Sequence, residues 1–436
     1  MNFDRLRQLL IQKALEGKLV TQKNTEKTSF INDKFSISAP FDIPTNWAFV
    51  PLTLLLDKQP QNGKSLKASG NTMGVRVLTL SATTSGSFKD TCFKFADTPS
   101  PFNKGWLLKN KDILIQRSNT PEYVGTACLF TGRNDEFIFP DLMIRIAANE
   151  KLLSPEFLVF IINSYYGKSY FQSHASGTSQ SMPKINQSVI KAFLVPLPPL
   201  EEQHRIVARL NELLAIIKQA EDAHTDLQSL GKTLRERILQ KAIEGKLVPQ
   251  LDEESAVEQI GEAPAETPFA IPHKWRWEYL QTVSTIVAGQ SPKGESLNEA
   301  SEGMEFHQGK TDFSDRIIGV SKKFTTEPMK IAAANSVLMS VRAPVGDVNL
   351  TDRQLCIGRG LFSVLPQENI DLEFLFAYLQ TTKKHLESLA TGTTFKAING
   401  KVVRQIAIPV PPLAEQHRIV AKLNELLPLI DQMTAV

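Results

Sequence analysis

Two segments of this 436-residue chain each occur twice, and their order limits the architectures open to it more than any single motif does. The run LRQLLIQKALEGKLVTQ from Leu6 returns as LRERILQKAIEGKLVPQ from Leu234, and FDIPTNW from Phe41 returns as FAIPHKW from Phe269, both 228 residues later. VPLPPLEEQHRIVARLNELL from Val195 returns as IPVPPLAEQHRIVAKLNELL from Ile408, 213 residues later, so the second unit is 15 residues shorter inside. The middle of the chain, 198–250, joins both blocks, whereas the chain's end (411–436) holds only the first and its start (1–22) only the second. Joining end to start rebuilds the middle segment, 48 residues against 53. This circular order predicts a pseudo-two-fold molecule with Met1 near Val436. Simple tandem duplication explains the similarity but not the complementary ends.

The repeated blocks read as helices. Ile206, Leu210, Leu213, Ile217, Ala220, His224, Leu227, Gly231, Leu234 and Ile238 step alternately by four and three, a heptad seam. Ile419, Leu423, Leu426, Ile430 and Met433 repeat it, continued by Leu6 and Leu10, and the two arms are expected to pack antiparallel. Pro198 and Pro199 with Glu201 and Glu202 mark the start of the central helix, and Gly245 its stop. Roughly 45 helical residues would span about 67 Å. Pro428 should kink the last helix. His204 and His417, in the two EQHRI copies, read as capping or packing residues, since no ligand set accompanies them.

Between these blocks lie two inserts, 23–197 and 251–410. VRVLTL, DILIQR and FIFPDLMIRIA in the first, and SVLMSVRA and GLFSVL in the second, read as short strands. A helix is expected near the end of each, started by Ser154-Pro155 and by Asp371. Each insert reads as an α/β domain of parallel design, and the whole as α+β: two α/β domains separated by long antiparallel coiled-coil helices. The acidic Glu/Ala/Pro stretch 252–266 reads as a linker.

Net charge is +3, so a basic surface has to be localised. The first insert carries 19 Lys and Arg against 13 Asp and Glu; the second carries 16 against 20, with six of the acids in 252–266. Two weakly positive domains are compatible with a nucleic-acid partner. Polar loops follow the late helix of each insert, SGTSQSMPKIN (with Thr178, Ser179, Gln180 and Lys184) and TGTTFKAIN (with Thr393, Thr394 and Lys396), supplying donors and a cation that suit a phosphate backbone. Lys64, Lys67, Gln116, Arg117, Ser118 and Asn119 in the first insert, and Lys293, Gln308, Lys310 and Arg342 in the second, belong to the residue types that read base edges or phosphates. Each of them could also be an ordinary solvated residue.

Enzyme signatures are missing. The two Pro-Pro pairs do not form an Asn/Asp-Pro-Pro-aromatic tetrad, and the Gly-Lys-Ser/Thr triplets lack the earlier glycine of a P-loop. Cys92, Cys128 and Cys356 fit neither a disulfide framework nor a zinc site. Without a signal-peptide core or an 18-residue apolar run, the expected location is the cytoplasm.

Paired IQKALEGKLV/IQKA-type and PPLxEQHRIV blocks around two dissimilar inserts resemble the specificity subunits of type I restriction-modification systems over nearly the whole chain. The resemblance implies that each insert is a target-recognition domain reading one half of a bipartite, asymmetric double-stranded DNA site. It implies that the helices dock two methylase subunits, with restriction subunits joining, and that no catalytic site, metal or cofactor belongs to this chain. S-adenosylmethionine, ATP and Mg would sit on the partners. The short arm ending at Val436 departs from longer family members. A coiled-coil scaffold without DNA specificity is the alternative reading.

Overall fold

The computed structural model describes residues 2–23, 25–30, 39–69, 74–98, 100–176, 182–391 and 397–435. It divides into two compact units, Met1–Asp222 and Ala223–Val436, with the 44-residue helix Leu200–Ile243 running through the division.

In the first unit the N-terminal helix Phe3–Leu15, capped by Asn2, buries Ile11, Ala14 and Leu15 with Ile206 and Leu210 of the long helix. The two run antiparallel, because Arg7 pairs with Glu221 at one end while Gln22 Nε2 donates to Glu202 at the other. In the second unit the C-terminal helix Leu413–Thr434 packs in the same sense, burying Ile419 and Leu423 with Leu239 and Ala242. Arg235 pairs there with Asp431. The expected seam is right at Ile206, Leu210, Ile217, Ile419, Leu423 and Ile430, all buried. Leu213, Leu227, Ile238, Leu426 and Leu10 are partly buried. It fails at Leu6 and Leu234, which are 41% and 39% exposed, and at Met433. A stripe spaced by 3.5 drifts around a helix of 3.6 residues per turn; Gly231 rather than Leu234 lies against Ile430 and Thr434, and the ion pairs of Arg7 and Arg235 flank the contact, that of Arg235 largely in solvent. Both EGKL segments stop their helix with glycine at positive φ, Gly17 at 68° and Gly245 at 69°, a conformation that suits glycine.

The sheets correct the expectation of a parallel design. The four-stranded sheet of the first unit, in the order Leu56–Asn62, Met143–Ala148, Ile113–Gln116, Ala127–Leu129, is antiparallel throughout. Its counterpart in the second unit, Ser284–Ala288, Leu361–Pro366, Ser336–Ser340, Val348–Thr351, is too. Among the described strands each unit has one parallel pair, Val75–Leu78 with Phe137–Ile138 in a three-stranded sheet and Met304–His307 with Leu355–Ile357 in a five-stranded sheet of short strands. Parallel pairing normally needs helical crossovers. Here the helices come after the main-sheet strands, at Pro155–Asn163 and Leu372–Thr381, where Ser154 and Asp371 accept the first free N–H groups as expected.

The EQHRI motif seats each domain on its helix pair. Glu202 is buried and accepts from Trp47 Nε1 (3.1 Å) and Gln22 Nε2 (2.6 Å). Gln203 accepts from the Ser154 N–H (2.8 Å), and Arg205 makes a two-point bridge to Glu26. In the second unit Glu415 takes Trp275 Nε1 (2.9 Å) and Gln250, Gln416 takes the Asp371 N–H (2.8 Å), and Arg418 takes Glu254. The acidic stretch is therefore fastened rather than free: Lys274 Nζ donates to the carbonyls of Leu251 and Asp252, and buried Glu278 accepts from the Ile260 N–H. His204 and His417 are exposed, which removes the packing role; His417 lies 3.6 Å from the capping carboxylate of Asp371.

Burial pushes the Glu202 and Glu415 carboxyls above the ordinary glutamate range, against the hydrogen bonds from Trp47 and Gln22 and from Trp275 and Gln250. A raised folded-state value gives stability that is complete below the unfolded value and is lost as pH rises through the folded one. Glu415→Gln keeps an acceptor for Trp275 without the buried charge. Its melting temperature is expected to match or exceed that of the unsubstituted chain at about pH 8 and to lose that advantage toward about pH 4. Glu415→Ala strands the indole N–H and should cost about 1–3 kcal/mol. Melts of the three forms across that range check both.

Candidate nucleic-acid interface

Each unit builds the same rim from four segments. In the first unit, Gly63 N–H donates to the Met143 carbonyl (3.2 Å), Lys64 N–H to Phe139 (2.8 Å), Arg117 N–H to Leu142 (2.8 Å) and Ile185 N–H to Arg117 (2.9 Å). In the second, Gly289 donates to Leu361 (3.0 Å), Gln290 to Ile357 (2.9 Å), Val341 to Gly360 (2.9 Å) and Ile398 to Val341 (3.0 Å). The two sets correspond bond for bond. Glycine is required at the first crossing in both: a Cβ on Gly63 or Gly289 would lie 2.2 Å from the carbonyl oxygen of Pro140 or of Gly358.

Side chains gather on this frame. In the first unit Ser65 Oγ donates to the Asp141 carboxylate, Arg117 Nη1 donates to the Asp141 carbonyl (3.2 Å), and Gln187 Nε2 donates to Asn62 Oδ1 (3.3 Å). Lys64 and Lys184 are exposed beside them. Ser176 and Lys184 exchange backbone hydrogen bonds beside this rim, and Lys184 bridges to Ser118. Thr391 and Ala397 do the same in the second unit, and Ala397 bridges to Arg342. Thr178, Ser179, Gln180, Thr393, Thr394 and Lys396 lie outside the described residues.

Several expected contacts are corrected. Gln116 is 0% exposed. Its amide donates to Thr84 Oγ1 (3.0 Å) and Thr83 Oγ1 (3.2 Å) and its Oε1 accepts from Asn119 Nδ2, so it braces the sheet and cannot reach a base. Ser118 is also buried, which leaves its backbone rather than its hydroxyl at the rim. Asn119, half-buried, is turned inward to Gln116. Lys310 shares Asp347 with Lys383. Burial would raise the Asp347 carboxyl, but the two lysines outweigh it and hold it below the ordinary range. Lys67 and Lys293 are exposed outside the four rim segments. Arg342 and Gln308 are exposed, and Gln308 Oε1 accepts from Ser291 Oγ (2.8 Å).

The rim also holds Asp141, Gln290 and Arg359, all exposed. The signal was in the sequence, because NGKS at 62–65 and AGQS at 288–291 match once placed against the same hydrogen bonds.

Behind the second rim the strand Met304–His307 is braced by charge. His307, with no side-chain exposure, has Nδ1 2.9 Å from Asp312 and Nε2 2.9 Å from Glu305. Arg353 meets Glu305 through Nε (2.8 Å) and Nη2 (2.9 Å). Burial alone would raise Glu305, yet Arg353, the Ser321 N–H and His307 hold it down at about 2. The equivalent strand in the first unit carries an ion pair of opposite sense, Arg76 with Glu136. Among the described residues no group of three or more His, Cys, Asp or Glu is placed to hold a metal ion. None of the described helices is long and apolar enough to cross a membrane.

A duplicated α+β chain with one polar rim per unit and a shared long helix defines a two-domain recognition scaffold. The family of type I restriction modification DNA specificity domains matches residues 44–224 and 272–435, and the chain belongs to that family. It is 31% identical over 326 residues to the MjaX specificity subunit of Methanocaldococcus jannaschii, covering 73% of this chain and 72% of that one. It is 22% identical to the EcoAI specificity subunit of Escherichia coli across 97% of this chain and 88% of the relative. Among solved structures, a chain from work on complex assembly and conformational transition of the type I R-M system aligns with a TM-score of 0.71 at 25% identity, covering 91% of this chain and 94% of that one. The HsdS subunit from Thermoanaerobacter tengcongensis aligns with a TM-score of 0.58 at 26% identity, covering 90% and 92%.

Proposed function

We propose that this chain is the non-catalytic sequence-reading subunit of a type I restriction-modification enzyme, each unit reading one half of a bipartite DNA site. The observation that carries this is the duplicated rim, in which four matching backbone hydrogen bonds per unit support different exposed side chains. A common frame with variable surface residues suits two domains that read different sequences, since phosphate contacts position and base contacts specify. The helix pairs hold the domains at fixed spacing in a pseudo-two-fold, coiled-coil arrangement and dock two methylase subunits. S-adenosylmethionine, ATP and Mg belong to the methylase and restriction partners, which perform the chemistry.

Filter binding at rising salt, with and without the methylase, tests this reading. The chain alone should bind weakly, because its charge balance is modest, and should become sequence-specific with two methylase subunits per copy. Affinity should fall with salt in proportion to the phosphates neutralised. Tight specific binding by the isolated chain, or a one-to-one stoichiometry at saturation, would contradict this account. Absence of DNA affinity in the assembled complex would favour the scaffold reading.

A further inference from the structure

The corresponding rims assign a position that composition could not. The Met143 N–H donates to the Pro140 carbonyl, and the Leu361 N–H to the Gly358 carbonyl, each at 3.0 Å, so the two turns superpose in hydrogen bonding as well as in sequence order. One residue past those acceptors stand Asp141 and Arg359, both exposed at the same point of the frame with opposite charge. Asp141 has one carboxylate oxygen engaged by Ser65 Oγ. The Arg359 guanidinium has no hydrogen bond or ion pair among the described residues, while the backbone that carries it is fixed. A Cβ on Gly358 would meet Gln308 Cα at 2.9 Å, and one on Gly360 the Gln308 carbonyl oxygen at 2.6 Å.

We infer that position 141 in the first unit and position 359 in the second are specificity-determining residues that contact base edges, an assignment that rests on the DNA-reading function proposed above. The frame presents the side chain at a constant place, and the side chain sets which base is accepted. Arginine offers two parallel N–H donors that match O6 and N7 of guanine, whereas a carboxylate accepts from the cytosine amino group. A phosphate-binding role fits Arg359 less well, because Asp141 at the same position would repel a phosphate. A structural role is disfavoured by the exposure of both side chains and by the lack of a partner for Arg359 among the described residues.

The test is methylation by the complete complex of a duplex pool in which every position of the site is varied, followed by sequencing of the modified fraction. Arg359→Ala should remove about 5- to 150-fold of the preference at one G·C pair in one half-site, leaving the other half-site intact. Arg359→Lys should lose most of the same preference, because it keeps the charge without the paired donors. Asp141→Ala should relax one position of the opposite half-site only. A uniform fall in methylation with an unchanged base preference, or full retention of preference by Arg359→Ala, would overturn the assignment. If the unsubstituted complex itself showed no base preference, the DNA-reading function would fail before any variant was compared, and the assignment with it.

Discussion

Arg353→Ala is expected to lower the melting transition of the second unit by about 4–12 °C, corresponding to about 2–3 kcal/mol. The Glu305 side chain is 11% exposed and Arg353 33% exposed, so the value is set below that of a fully buried pair to allow for screening by water. Removing the guanidinium leaves a shielded carboxylate facing His307 and the Ser321 N–H with its strongest partner gone. Because the folded-state value of Glu305 is depressed to about 2, its contribution is present above the ordinary glutamate range and is lost as pH falls through the folded value. The gap between variant and unsubstituted chain should therefore narrow in acid. The matching substitution in the first unit, Arg76→Ala, should cost less, since both partners of that pair are about one-third exposed. Arg76 also lies over Phe93, 5.1 Å from the ring centre, so its loss removes packing as well. A difference under about 0.5 kcal/mol for Arg353→Ala, seen in denaturant and thermal melts, would show that the network is not holding the strand.

The repeat, the long helix and the capped helices at Ser154 and Asp371 were legible because they depend on local rules: apolar spacing, capping side chains and glycine stops. The strands Val75–Leu78, Ile113–Gln116, Phe137–Ile138, Met143–Ala148, Ser336–Ser340 and Leu361–Pro366 were legible for the same reason, whereas Leu56–Asn62, Ala127–Leu129, Ser284–Ala288 and Val348–Thr351, half of each main sheet, were not. Strand direction was not, since alternation of residue types is the same in parallel and antiparallel pairs, and only the absence of crossover helices decides it. The seam could be traced at Ile206 and Leu210 but not at Leu234, because the helix drift turns that leucine outward and Gly231 lies against Ile430 and Thr434 instead. Gln116 and Arg359 illustrate the limit for the candidate site. Both have the chemistry of base readers, but one is consumed by Thr83 and Thr84 inside the sheet, and the other is displayed by a Gly-Arg-Gly turn that only the tertiary crossing with Gln308 explains. The acidic stretch 252–266 has linker composition, and its fastening by Lys274, Arg418 and Glu278 depends on residues distant in sequence.

Replacing residues 23–195 with residues 251–408 of the same chain should change one half of the recognised site completely and leave the other untouched. The exchange keeps the seating intact, because Glu254 and Trp275 supply what Glu26 and Trp47 give to Arg205 and Glu202. It keeps the rim's frame as well, with Gly289 in place of Gly63. The resulting chain carries the second unit's reading surface twice. Under the pseudo-two-fold arrangement proposed above, the site should become an inverted repeat of the second half-site. Lengthening the long helix by one heptad in the parent chain should alter only the spacer between two unchanged half-sites. The most direct measurement is single-base mapping of methylated adenines in the genomes of cells expressing the complete system with the parent or the exchanged chain. Independent reading by two units predicts an asymmetric bipartite site for the parent and its second half, twice and inverted, for the exchange. An exchanged chain that assembles and methylates, but at a site in which both halves have changed or neither has, would contradict it.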